Sequence, residues 1–200
     1  MWRFLAYTSG YLVLVFKRLC RALFLALLVS VAAHVCAQPR ADAALGAAIN
    51  LEYQVKAAFI FNFANFTTWP ASAFTSPTGP LAICIVGSDP FEGALEQVVS
   101  GEHVGSHPLA VEHRRRGASL QGCQMVFVSG DDGGQVQVVQ AAAKAPILTI
   151  GETDQFWRDG GMIAFQVDGG HVRFDVNQTA AKHHGLELSS KLLRVAWRVK

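Results

Sequence analysis

The residues able to do chemistry are scattered, and few stand at useful spacings. Six histidines lie beyond residue 37: His103, His107, His113, His171, His183 and His184. His103 and His107 would be neighbours only on a helix, and Gly101, Gly105 and Pro108 argue for a loop there. His183 and His184 are adjacent, so on a helix they point to different sides. The histidines therefore read as surface residues, and no metal site is expected. Gly130-Asp131-Asp132-Gly133-Gly134 follows a strand and precedes a helix, where a phosphate could sit. Its spacing is wrong for a dinucleotide fingerprint, and two acids stand where an anion would go. Ser129, Ser189 and Ser190 lack a nucleophile context. Asp131, Asp132, Asp154 and Asp159 read as solvated loop acids. No catalytic group, cofactor or enzyme activity is expected from these residues.

The cysteines are more telling. Of Cys20, Cys36, Cys84 and Cys123, the first two lie in a leader-like segment. Residues 1–21 carry Arg3, Lys17, Arg18 and Arg21 and no acid, and Ala22–Ala33 is apolar apart from Ser30. That run is too short to span a bilayer, which takes about 20 residues, and it matches the centre of a secretory signal. Val35-Cys36-Ala37 offers small residues for cleavage before Gln38. An uncleaved anchor is the alternative, kept open by Tyr11–Phe16. Export would leave two cysteines in an oxidising compartment, where Cys84 and Cys123 would pair. Two buried free thiols are the other reading, since Cys84 is mid-strand while Cys123 begins its strand. No Cys-x-x-Cys is present, so zinc-ribbon and thioredoxin chemistry have no footing.

The leader holds four of the 17 basic residues and none of the 15 acids, so a mature chain carries a formal charge of −2. Such a surface gives no support for nucleic-acid binding. Arg114-Arg115-Arg116 reads as a solvated loop or strand end.

The elements that must position any site follow from the hydrophobic pattern. Residues 38–50 read as a flexible leader and 51–200 as one domain. A helix is expected over 51–66, apolar around nearly its whole circumference, so it needs cover on more than one side. Trp69-Pro70 closes it. Leu81–Gly87, Leu109–His113, Cys123–Ser129 and Ile147–Ile150 read as strands, with helices over 89–99 and 135–144. Ile163–Val167 and Val172–Val176 alternate around Asp168-Gly169-Gly170, a hairpin pattern. Asn177 can cap a helix that breaks at Gly185. Ser189 or Ser190 can cap a last one, with Leu192, Leu193, Ala196 and Val199 on one stripe. The order predicts a three-layer α/β/α sandwich, its central sheet mostly parallel, with a C-terminal antiparallel hairpin.

Seven segments in order carry a resemblance. Tyr53-Gln54-Val55-Lys56-Ala57-Ala58-Phe59-Ile60-Phe61-Asn62-Phe63, closing on Thr68-Trp69-Pro70, is similar to the opening of the YfiR family. Ile83–Gly87 with Asp89-Pro90-Phe91, Gly122–Val128, Pro146–Ile150, Gly160–Ile163, Val172–Asn177 and Leu188–Leu193 resemble its later segments. The resemblance covers about 51–199. It implies a periplasmic, dimeric repressor that docks on the periplasmic sensor domain of an inner-membrane diguanylate cyclase. It further implies control of cyclic-di-GMP and biofilm formation, and sequestration by an outer-membrane lipoprotein. It implies a stabilising disulfide, for which Cys84 and Cys123 are the fitting pair. A further cysteine pair seen in some relatives is lacking here. The alternative is a periplasmic small-molecule sensor working with a transporter or a histidine kinase.

Docking needs differential affinity for two states of a partner and no bond-making. The candidate contact residues are Phe59, Phe66 and Trp69 on the apolar helix and its end. Lys56, Asn62, Arg173 and Asn177 are polar groups in apolar surroundings, able to satisfy each other or to orient a ligand.

Overall fold

In the computed structural model the described residues are 38–130 and 134–200, with side chains from 45 onward. The expected signal peptide, residues 1–37, and the acids Asp131 and Asp132 lie outside the described residues. The chain divides into two units, Met1–Ile49 and Asn50–Lys200. In the first, the described residues are helical. The second holds the sheet.

Helix α1 runs Gln38–Asn65, so its start precedes the expected one by thirteen residues. No helix among the described residues is long and apolar enough to cross a membrane. Within Asn50–Lys200, α1 buries Ala57, Ile60, Phe63 and Ala64, at the spacing that lines one helical face. Tyr53, Phe59, Phe61 and Phe66 flank that face and are half-buried against the core. A short strand β1, Thr67–Thr68, follows α1, and a turn of 3-10 helix spans Ala71–Ala73.

The sheet then builds outward from β2, Leu81–Val86, whose six residues are all buried. Next come α2 (Ala94–Val99), β3 (His103–Val104) and β4 (His107–Arg114). After these follow β5 (Met125–Val128), α3 (Gln135–Ala142) and β6 (Leu148–Gly151). The chain continues through α4 (Asp154–Arg158), β7 (Ile163–Asp168), β8 (His171–Val176) and α5 (Gln178–His183). It ends with β9 (Glu187–Leu188), α6 (Ser190–Val195) and β10 (Arg198–Val199). The strand order is β10-β8-β7-β6-β5-β2-β4-β3. Strands β4, β2, β5, β6 and β7 are parallel, while β7 and β8 form the expected antiparallel hairpin. β1 pairs with β9 apart from this sheet.

Alternation of side chains along the strands divides the core in two. On one face Leu81, Ile83, Ile85, Phe127 and Ile150 meet α1, α2 and α5. On the other Cys84, Val86, Val126 and Val128 meet Val138, Ala142 and Phe156 of α3 and α4. The result is the predicted mostly parallel α/β sandwich.

Besides the early start of α1, several segments differ from the sequence reading, among them the helix expected over 89–99, which begins only at Ala94, and His103–Val104, which is a strand and not a loop. Asp154, expected in a loop, opens α4, because Thr153 caps it: the hydroxyl accepts from Phe156 N at 3.1 Å. The last helix stops at Val195, and Val199 lies exposed on β10 instead of on a helical stripe. The reason is Asp175, fully buried on β8. A buried carboxylate needs a cation. Arg198 reaches it from the extended β10, donating from Nε to Oδ1 at 3.0 Å and from Nη2 to Oδ2 at 2.5 Å. That hydrogen bond to Asp175 is the main cause holding the Arg198 guanidinium above its ordinary pKa.

Candidate functional site

In an open parallel sheet, ligands gather at the carboxyl ends of the strands where the winding reverses. Here β2 leads to β4 on one side while β5, β6 and β7 extend on the other, so the reversal lies between β2 and β5. The C-terminal ends of β5 and β6 carry Ser129-Gly130 and Glu152-Thr153, and the polar turn of α1 brings Glu52, Tyr53 and Lys56 to them.

Lys56 is buried, 3% exposed, beside the apolar face of α1. Its ammonium lies 2.5 Å from Glu152 Oε1 and is ion-paired with Glu52 one turn back. It also stands 4.4 Å from the centre of the Tyr53 ring. Glu152 Oε2 accepts from Tyr53 Oη at 3.3 Å and from Gly130 N at 2.9 Å. Alongside, Gln135 Nε2 donates to the Ser129 carbonyl at 3.0 Å, and Thr153 Oγ1 donates to Gln135 Oε1. These groups answer one another. A buried ammonium held by two carboxylates has no lone pair for a substrate, so this knot clamps α1 to the carboxyl edge of the sheet.

The other candidate residues each have a local role. Asn62 is exposed and donates to the Ala58 carbonyl of its own helix at 2.8 Å. Arg173 is exposed, 3.4 Å from Asp168, with its guanidinium 5.7 Å from the Trp197 ring. Asn177 caps α5, accepting from Ala180 N at 2.9 Å. Lys56, Asn62, Arg173 and Asn177 therefore neither satisfy each other nor converge. Phe59 packs edge-on to Phe174 at 5.3 Å, beside the Phe63–Phe174 pair at 4.9 Å. Phe66 is half-buried, and its carbonyl accepts from Ser189 N. Trp69 donates from Nε1 to the Gln124 carbonyl at 3.1 Å, which pins the corner after α1.

Cys84 and Cys123 lie at disulfide distance, their Cα atoms 5.8 Å apart. The mid-strand position of Cys84 is compatible because its side chain faces the α3 side, where the 115–124 loop folds over the sheet.

Sequence reasoning missed two features. Leu51 and Val55 are exposed, one turn apart on α1. Nearby, Asn50, Gln54, Phe91, Glu92, Ala94, Gln97 and Val98 line an open cleft between α1 and α2. Second, His113 lies 2.9 Å from Glu96, with Asp89 beside them. The signal for the latter was available: Leu109, Val111 and His113 alternate along β4, so the histidine continues the α2-facing line out to the exposed end of the strand.

The winding order and the clamped first helix define the class: a three-layer α/β domain with reversal between β2 and β5 and two cysteines at disulfide distance beside β2. The chain belongs to the YfiR/HmsC-like family, whose model matches residues 53–197. A solved structure described as a conserved domain protein from Vibrio cholerae O1 biovar El Tor str. N16961 is similar at 14% identity and a TM-score of 0.45. The match covers 60% of this chain and 54% of that one, so this chain spans about half of its length. No curated protein matches the chain.

Proposed function

We propose that this protein is a periplasmic repressor that docks on the periplasmic sensor domain of an inner-membrane diguanylate cyclase and holds cyclic-di-GMP synthesis down. Membership of the YfiR/HmsC-like family carries the reading, since that family is in general regulatory and not catalytic. The Cys84–Cys123 pair supports an oxidising compartment, in keeping with the signal-like residues 1–37. The contact surface is the exposed side of α1 around Leu51 and Val55, with Phe59, Phe66 and Trp69 fixing that helix from beneath. Apolar side chains on a rigid helix suit a protein partner, because they bring contact area with little ordering cost. The protein acts as a dimer, and an outer-membrane lipoprotein relieves repression by sequestering it.

Deleting the gene tests this. Intracellular cyclic-di-GMP rises in the deletion strain and falls again on complementation, and the full-length protein retrieves the cyclase from detergent-solubilised envelope. Unchanged cyclic-di-GMP in the deletion strain overturns the reading.

A further inference from the structure

We propose that Asp89, Glu96 and His113 form a binding site for a divalent transition-metal cation, with Zn²⁺ the best fit. The three come from three elements: the loop after β2, the first turn of α2, and the carboxyl end of β4. One ligand atom from each lies within 4.8 Å of the others. His113 is in register with Ile85 of β2, so its ring projects to the face on which α2 packs. Asp89 is fixed by its own turn, with Oδ1 accepting from Phe91 N at 2.8 Å. Glu96 Oε1 lies 2.9 Å from His113 Nε2.

A simple ion pair accounts for Glu96 and His113 but leaves two observations over. Glu96 Oε2 is shielded from solvent and has no hydrogen-bond partner, an unfavourable state for a carboxylate oxygen. Asp89 brings a second carboxylate to the same point, which repels Glu96 unless a cation lies between them. A metal ion answers both. One imidazole nitrogen and two carboxylate oxygens suit Zn²⁺ better than the all-oxygen cages of Ca²⁺ and Mg²⁺ or the thiolate sites of Cu⁺. Zinc–ligand bonds of about 2.0–2.2 Å call for ligand atoms closer together than 4.8 Å, so these side chains, two of them partly solvent-exposed, must draw in on binding. Solvent fills the remaining position.

The site would act on α2. That helix is short, and it follows Glu92 and Gly93, both at positive φ. It also forms one wall of the cleft lined by Gln54, Phe91 and Val98. An ion joining β4, α2 and the β2 loop would fix that wall.

Calorimetric titration of ZnCl₂ into the EDTA-stripped, disulfide-intact protein tests the proposal. One equivalent binds, and the melting temperature rises with zinc, as for any ligand selective for the folded state. Glu96→Gln keeps the shape of a partly buried side chain and His113→Gln alters an exposed one, so both variants keep the native melt without zinc, and each weakens binding by more than the tenfold to hundredfold typical of losing an outer-shell partner. His183→Ala binds as the native protein does. Absence of stoichiometric binding overturns the proposal, as does undiminished affinity in the Glu96 and His113 variants.

Discussion

Lys56 Nζ lies 2.5 Å from Glu152 Oε1, and 96 residues of sequence separate the two. The contact joins α1, the first element of the domain, to the loop leaving β6. Both groups are withdrawn from water, so neither tolerates loss of the other. Glu152→Ala leaves a buried ammonium with only the half-exposed Glu52, and it also strips acceptors from Tyr53 Oη and Gly130 N. Breaking a buried pair from one side costs about 3–5 kcal/mol. A Lys56→Met, Glu152→Leu double variant loses less than Glu152→Ala, since apolar replacements leave no uncompensated charge. Urea unfolding of the three proteins checks the order.

The oddity of Lys56 was legible in the sequence, because a charge inside Val-x-Ala-Ala-Phe-Ile-Phe has to be answered. Its partner was not, because Glu152 follows a strand that reaches α1 only once the sheet is wound. The parallel strands, the hairpin and the Asn177 cap were legible because each is a local pattern: an apolar run, a period of two, a residue type before a helix. The β10 extension was hidden for the opposite reason. Leu192, Leu193, Ala196 and Val199 do fit a helical stripe, but tertiary demand from Asp175 draws Arg198 into an extended chain and overrides it. The His113 cluster joins residues from 89 to 113 through the β2–β4 register and the packing of α2 beside it, which no single-window reading captures.

Cys84 and Cys123 are almost fully buried, at 0% and 4% exposure, and close a 39-residue separation. Alkylation of the unreduced protein finds neither thiol, and reduction proceeds readily only once the protein is unfolded. Replacing both with Ala costs about 2–5 kcal/mol, through the freedom returned to the unfolded chain and the lost packing between β2 and the 115–124 loop. Mass spectrometry of alkylated protein, with denaturant melts of the variant, reads both effects.

Phe156 of α4 is fully buried and fits between two glycines. A Cβ built on Gly161 would stand 2.1 Å from its ring, and one on Gly151 2.6 Å from it. Gly161→Ala therefore forces α4 off the sheet, at a cost of about 1–3 kcal/mol or more. Pairing it with Phe156→Leu recovers part of the loss, because the shorter side chain vacates the clash. The two changes are non-additive in a double-mutant cycle, as expected for residues in contact. Thermal melts of the four proteins measure the coupling.

Leu51 and Val55 separate the docking role of α1 from its structural one. Leu51 is 61% exposed and Val55 38%, while Phe63, two turns on from Val55, is fully buried. Leu51→Glu with Val55→Glu removes apolar surface from the outer side of α1 and adds charge, leaving the core intact. Such surface changes shift stability by about 0.5 kcal/mol or less. Phe63→Ala empties the aromatic cluster with Phe165 and Phe174 and costs about 3–5 kcal/mol. If repression works through the exposed face of α1, the double glutamate variant accumulates in the periplasm at native level, melts as the native protein does, and leaves cyclic-di-GMP as high as in the deletion strain. Full repression by that variant would move the contact surface away from α1. Phe63→Ala, by contrast, lowers repression only in proportion to the folded protein that remains, so immunoblots beside the nucleotide measurements distinguish lost docking from lost fold.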